Sequence, residues 1–132
     1  MTRRYARELA LQTLYSIEVG KNTAAEALDQ TMAAPAPSEE RAFVRDLVFG
    51  TLEFAEQSDA VIAPLLQGWT LERLPTLDRL VLRMSVFELL HRPQTPPAVV
   101  INEAVELAKK FSTEDSGRFV NGVLANAAGK VA

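Results

Sequence analysis

The stretch PPAVVINEAVELAKKFSTEDSGRFVNGVLANAA, residues 96–128, predicts two helices joined by a polar turn. Apolar residues recur three or four positions apart on both sides of the turn, so each predicted helix buries one stripe. The turn, residues 112–119, carries no such stripe. It contains Thr113, a good N-cap, followed by two acids that the helix dipole favours. The sequence therefore predicts a helical hairpin whose polar turn is the candidate for function.

One aromatic residue of this turn lies beside charged residues. On a helical wheel Asp115 and Arg118 face away from the apolar stripe, and Phe119 lies at its margin. An aromatic ring among charges is suited to stacking on an unpaired nucleic-acid base. The alternative is that Phe119 packs at the edge of the bundle and Asp115 serves only as a helix cap.

A second candidate surface lies on the first predicted helix. A stripe of residues spaced by three or four positions, predicted to lie outside the core face, comprises Arg4, Arg7, Leu11 and Tyr15. Together with Arg3, its arginines form a candidate phosphate-binding cluster. The alternative is that Leu11 and Tyr15 pack against another helix while the arginines are simply solvated.

Composition restricts the functional classes. The chain has 132 residues, a net charge of −3 and a pI near 5.2, so any nucleic-acid site must be local. The absence of cysteine excludes disulfides and thiolate catalysis, and a single histidine, His91, argues against a histidine-built metal site. No nucleophile elbow or phosphate loop is present, so an enzyme is the least supported class and no cofactor is expected.

Helix signals continue along the whole chain. Caps, prolines and apolar spacing predict an all-α fold of about seven helices in one domain, residues 1–132, with the fourth helix starting at Ser58 or Asp59. A lone tryptophan at a predicted turn, Trp69, is interpreted as a packing residue. No apolar run approaches the roughly eighteen residues of a membrane span, so we expect no membrane association and a cytoplasmic location.

Three segments of the chain resemble the NusB family of bacterial transcription antitermination factors. They are RRYARELALQTLY at residues 3–15, LDRLVLRMSVFELL at residues 77–90, and the hairpin with its INEAVELAK, EDS and FVNGVL motifs. Together the resemblance spans nearly the whole chain. It implies two small helical bundles packed into one domain, with the arginine helix brought beside the turn at residues 113–119.

The resemblance also implies a function. It implies an RNA-binding protein that pairs with ribosomal protein NusE, grips the boxA element of ribosomal RNA transcripts and joins the RNA polymerase antitermination complex. The RNA-facing positions that it assigns on the first helix are Arg3, Arg4, Arg7 and Gln12. It places Tyr15 and Asp78 at the boundary with NusE, although Asp78 is also explained as a first-turn acid favoured by the helix dipole. Phe119, flanked by Asp115 and Arg118, is then the predicted base-contacting site.

Other functions stay open. A helical protein-interaction adaptor that binds RNA negligibly agrees with the acidic pI, and replacing Arg4 and Arg7 separates it from the RNA-binding hypothesis. The RNA-binding module of an RNA methyltransferase also fits the fold, although these 132 residues contain no catalytic domain. A homodimer that buries the arginine helix is a further hypothesis, in which the dimer stores the protein in an inactive form.

Overall fold

The computed structural model describes residues 2–33 and 36–131, which form seven α-helices and two short 3-10 segments. The α-helices are α1 (Arg3–Glu18), α2 (Ala24–Thr31), α3 (Ser38–Glu53), α4 (Ala55–Ile62), α5 (Thr76–His91), α6 (Pro97–Phe111) and α7 (Glu114–Val131). The 3-10 segments are Ala63–Leu65 and Leu71–Arg73. These residues contain no β-strand, so the all-α prediction is confirmed. No helix within the two described ranges combines the length and apolarity needed to span a bilayer.

The helices divide into two compact units along the chain, Met1–Glu53 and Phe54–Ala132. The first unit contains α1 to α3, and the second contains α4 to α7 with both 3-10 segments. The two predicted helical bundles are therefore confirmed. Their union in a single domain of residues 1–132 stays a prediction.

The first unit is held by an apolar core and by capped helix starts. α1 packs against α2 and α3, and its Leu14 is almost completely buried. α2 begins with the capping box that its sequence predicts, in which Thr23 and Glu26 bond each other's backbone amides at 3.1 Å. Hydrogen bonds from the backbone amide and from the hydroxyl of Thr23 stabilise the ionised Glu26 carboxylate and lower its pKa. The bond to the Glu26 carboxylate is therefore at full strength at neutral pH and weakens as the pH falls through that lowered pKa, while the bond to the Thr23 hydroxyl is unaffected.

The second unit is built on the predicted hairpin. α6 and α7 pack along each other, and α5 packs against both. Their apolar stripes meet in a core where Val100, Val120 and Leu124 are at most 1% exposed. A Cβ atom on Gly117 would lie 2.6 Å from Cγ of Lys109, so the missing side chain lets the start of α7 lie close against α6.

α4 begins earlier than its sequence signals indicate. The predicted start at Ser58 or Asp59 is wrong, because the helix begins at Ala55 after a single turn residue, Phe54. Ser58 is completely buried inside the helix and does not cap it. The Phe54 ring stacks on His91 of α5 with centroids 4.0 Å apart, so a tertiary contact rather than a cap fixes the entry into α4.

The structure corrects the stripe that was predicted on the outer face of α1. Arg7 and Leu11 are only 4% and 0% exposed, so the prediction that they lie outside the core is wrong. The physical reason is that α3 packs along α1 and brings the Phe43 ring against the Arg7 guanidinium. The Arg7 guanidinium carbon lies 5.2 Å from the centroid of the Phe43 ring, and the Arg3 guanidinium carbon lies 4.0 Å from it. Arg7 is therefore a core residue of the first unit.

Replacing Arg7 by alanine is expected to lower the free energy of unfolding by about 2–4 kcal/mol. The substitution removes a buried aliphatic stem, ends the cation–π contact with Phe43 and leaves a cavity. The matched control is Arg4→Ala in the same helix, where the exposed side chain predicts a change within about 0.5 kcal/mol. Urea denaturation followed by circular dichroism measures both, and equal losses in the two variants would contradict the structural role of Arg7.

Candidate nucleic-acid interface

The predicted RNA-facing residues of the first unit lie along α1. Arg3, Arg4 and Gln12 are exposed, and Tyr15 is 40% exposed further along the helix. The first turn of α1 contains no acidic residue, so positive charge collects at this end of the helix. The Arg3 guanidinium contacts the Phe43 ring, and Arg3 is nevertheless exposed at the surface. This end of α1 therefore presents exposed arginines, without Arg7 among them.

The predicted residues of the second unit collect around the start of α7. Thr113 caps this helix as predicted, since its hydroxyl accepts a hydrogen bond from the Ser116 backbone amide at 3.0 Å. The Ser116 hydroxyl in turn donates to Oδ2 of Asp78 in α5, also at 3.0 Å. This buried bond ties the first turn of α7 to the first turn of α5.

Two further hydroxyl groups complete the network around Ser116. Its oxygen lies 2.9 Å from the Ser112 hydroxyl and 3.0 Å from the Thr113 hydroxyl. Since a serine hydroxyl has one proton and Ser116 gives it to Asp78, both neighbours must donate to the Ser116 oxygen. Every hydroxyl proton in the turn then points along one chain of hydrogen bonds toward the Asp78 carboxylate.

Asp78 is a buried carboxylate and not a surface charge. Asp78 is 5% exposed. The Oδ1 atom of its carboxylate accepts no hydrogen bond from the part of the chain that the structure describes. Leaving a buried charged acceptor without a donor costs free energy. A donor supplied from outside this chain would remove that cost.

A pocket of about 240 Å³ opens over this carboxylate. It is lined by Trp69, Leu74, Pro75, Asp78, Thr113, Asp115, Ser116 and Phe119. The pocket therefore brings together three residues that were predicted to be functional, Asp78, Asp115 and Phe119. The predicted placement of Phe119 at the margin of the α7 stripe is confirmed, since the residue is neither buried nor fully exposed.

Asp115 and Arg118 form an ion pair at the rim of this pocket. Their side chains are 85% and 74% exposed, so the pair adds little to stability. Because both groups are in solvent, exchanging the Asp115 carboxylate for a phosphate at Arg118 would cost little free energy. The rim thus offers one acceptor and one cation to a ligand in the pocket.

Trp69 lines this pocket, although the sequence analysis did not place it in the candidate site. It is 56% exposed, so the interpretation of it as a packing residue is wrong. It directly follows Gly68, whose φ of +79° allows a bend that other residues rarely adopt. The sequence shows a helix break at Gly68, but no periodic apolar pattern around it indicates which side of the chain Trp69 faces. The direction of the indole is therefore set by tertiary structure.

The arrangement is suited to recognition by stacking and hydrogen bonding. Across the two described ranges, no group of three histidines, aspartates or glutamates is placed to hold a metal ion. The two groups of predicted residues lie in different units, so the predicted adjacency of α1 and the turn stays a prediction.

Replacing Ser116 by alanine is expected to cost about 1–3 kcal/mol of unfolding free energy, because the buried Asp78 carboxylate loses the hydrogen bond that the Ser116 hydroxyl donates. In an Asp78→Ala background the same replacement should cost at least 1 kcal/mol less, which a double-mutant cycle in urea measures. Ser112→Ala is the control, because that hydroxyl does not bond Asp78. If the losses of unfolding free energy from the substitutions at positions 78 and 116 are additive, the proposed coupling between the two side chains is wrong.

Comparison with protein families and solved structures identifies relatives of this chain. Residues 4–129 match the model of the NusB family. The transcription antitermination protein NusB of Symbiobacterium thermophilum is 44% identical in an alignment that covers 94% of this chain and 87% of the relative.

Two solved structures share the fold. T. maritima NusB superposes with a TM-score of 0.92 at 32% identity, covering 98% of this chain and 92% of that one. A crystal structure of the antitermination factors NusB and NusE in complex with dsRNA gives a TM-score of 0.86 at 27% identity, with 98% and 99% covered. The match covers almost every residue, including the three segments that carry the resemblance, and the chain belongs to the NusB family.

Proposed function

We propose that the chain is a transcription antitermination factor that binds the boxA element of ribosomal RNA transcripts together with ribosomal protein NusE. Membership of the NusB family over residues 4–129 is the observation that carries this proposal. The similarity to a structure that contains NusB, NusE and dsRNA supports RNA and NusE as the partners.

The proposed RNA surface has two parts. Arg3 and Arg4 contact phosphates from the exposed start of α1, and Gln12 adds a hydrogen-bonding group further along the same helix. In the second unit Phe119 meets a base, with Asp115 and Arg118 beside it. Arg7 supports this surface indirectly, since its buried side chain packs α1 against α3 through Phe43.

The proposed partner surface is centred on Tyr15. An exposed aromatic residue with a polar tip is typical of protein interfaces, and Tyr15 is 40% exposed. The resemblance also assigns Asp78 to NusE. Asp78 is 5% exposed and lines the pocket beside Phe119, which is the proposed route of a partner to its side chain.

The proposed mechanism is assembly and not catalysis. A single domain of residues 1–132 that holds boxA RNA and NusE together lets each ligand lower the free-energy cost of binding the other. The assembled pair then joins the RNA polymerase antitermination complex on a nascent transcript, which in bacteria places the chain in the cytoplasm. A NusB-family adaptor that binds NusE and negligible RNA is the second hypothesis, favoured by the net charge of −3.

Titrating a labelled boxA-like RNA at two salt concentrations, with and without NusE, separates the two hypotheses. Fluorescence anisotropy should show weak binding by the chain alone and tighter binding with NusE, and both should weaken as salt rises. RNA binding that is absent with and without NusE, by a chain that circular dichroism shows to be folded, would leave the adaptor hypothesis.

The charge-neutral double variant Arg3→Gln, Arg4→Gln tests the phosphate contacts directly. Each phosphate neutralised on single-stranded RNA contributes about 0.7 to the slope of log affinity against log salt, so the slope should fall by about 1.4. The control is the double variant Lys21→Gln, Lys130→Gln, which removes the same number of positive charges from exposed positions outside the proposed RNA surface. A slope that changes equally in both variants would show a general charge effect and not a contact.

A further inference from the structure

The exposed side of α3 carries two large apolar side chains. Phe49 is 46% exposed, and Leu52, one turn later on the same side, is 43% exposed. Leu47 and Thr51, two positions before and after Phe49, are 0% and 2% exposed. Because two positions along an α-helix correspond to a turn of about 200°, these buried residues lie on the opposite side of α3, where the core of the first unit is. Phe49 and Leu52 therefore form an apolar patch that the core does not use.

Two opposite charges lie about one helical turn on either side of Phe49. Arg45 precedes Phe49 by four positions and Glu53 follows it by four, so the three residues form one ridge along α3. All three are exposed. Neither Arg45 nor Glu53 forms an ion pair with another residue in the ranges 2–33 and 36–131. The ridge thus presents an aromatic ring between a cation and an anion that are both available to a partner.

This ridge is complementary to a reversed copy of itself. In the commonest packing of two helices, ridges of residues spaced by four positions lie alongside each other. When two copies of α3 pack in this way in opposite directions, with Phe49 at the centre, Arg45 of each copy lies beside Glu53 of the other. When they pack in the same direction, like charges meet and repel. Since a two-fold axis forms both favourable contacts at once, a second copy of the chain is the partner that this ridge fits.

We propose that the exposed side of α3 is a homodimer interface, in which two copies pack antiparallel through Phe49 and Leu52 and form two ion pairs between Arg45 and Glu53. An interface built on one helix from each copy belongs to the weak, transient class that buries less than about 1,200 Å², so the dimer exchanges with the monomer. α1 packs against α3, and its exposed arginines lie outside the ridge. Unlike a dimer that buries the arginine helix, this dimer leaves those arginines accessible. The inference does not depend on the proposed function.

Sedimentation velocity over roughly a hundredfold range of concentration should show the unaltered chain passing from monomer to dimer. Phe49→Ala should weaken this association by about tenfold or more, because it removes the central aromatic contact. Tyr5→Ala is the matched control, since Tyr5 is a similarly exposed aromatic residue on α1, at 48%, and its removal should leave the association unchanged.

Three outcomes of this experiment overturn the inference. The first is a chain that stays monomeric at every concentration. The second is association that Tyr5→Ala weakens as much as Phe49→Ala does, which would point to a dimer through α1. The third is a monomeric chain whose binding to NusE is weakened by Phe49→Ala, which would assign this side of α3 to NusE.

Charge reversal tests the antiparallel arrangement. Arg45→Glu or Glu53→Arg alone places like charges at both contacts and should weaken the association, whereas the two changes in one chain should restore it. An equimolar mixture of the two single variants should form a heterodimer, because one variant then has two acids and the other two arginines at these positions. Both side chains are exposed, so the variants should remain folded, which circular dichroism checks. If neither the double variant nor the mixture associates more tightly than the single variants, the inference is overturned.

Discussion

The hydrogen bond from Ser116 to Asp78 is the constraint on which the candidate interface depends. It joins the first turns of α5 and α7, which are separated by 38 residues along the chain. Because the bond is buried and one partner is a carboxylate, breaking it leaves a costly unsatisfied group, so the two helix starts are held together. Phe119 lies one turn beyond Ser116 on α7, and its position relative to α5 follows from this contact.

The candidate nucleic-acid surface is a local feature of an acidic protein. The net charge is −3, yet the negative charge near the pocket is partly withdrawn, because Asp78 is buried and Asp115 is paired with Arg118. Exposed arginines at the start of α1 supply positive charge elsewhere. The proposed recognition depends on a few placed groups, so the net charge of the protein is a poor guide to it.

Helix positions were predictable wherever local chemistry decides them. The Thr23–Glu26 capping box and the Thr113 cap act within one turn, and both helices begin where these residues indicate. The start of α4 was not predictable in this way, because Phe54 stacks on His91, which lies 37 positions later. The prediction that Arg7 lies outside the core was wrong for the same reason, since a contact distant in sequence decides its burial. Its spacing along α1 is that of an outer residue, but α3 covers it.

The sequence by itself determined the helices, the apolar stripes and the family, and it predicted Phe119 and Asp115 as site residues, which both line the pocket over Asp78. These follow from spacing and from motifs that are local in the chain. Tertiary structure alone decided that Arg7 is buried, that Asp78 lies beneath a pocket with one oxygen unpaired, and that Trp69 is exposed beside Phe119. The exposure of a side chain is set by helices distant in sequence, and helical periodicity shows which face of a helix is apolar but not which other helix covers it.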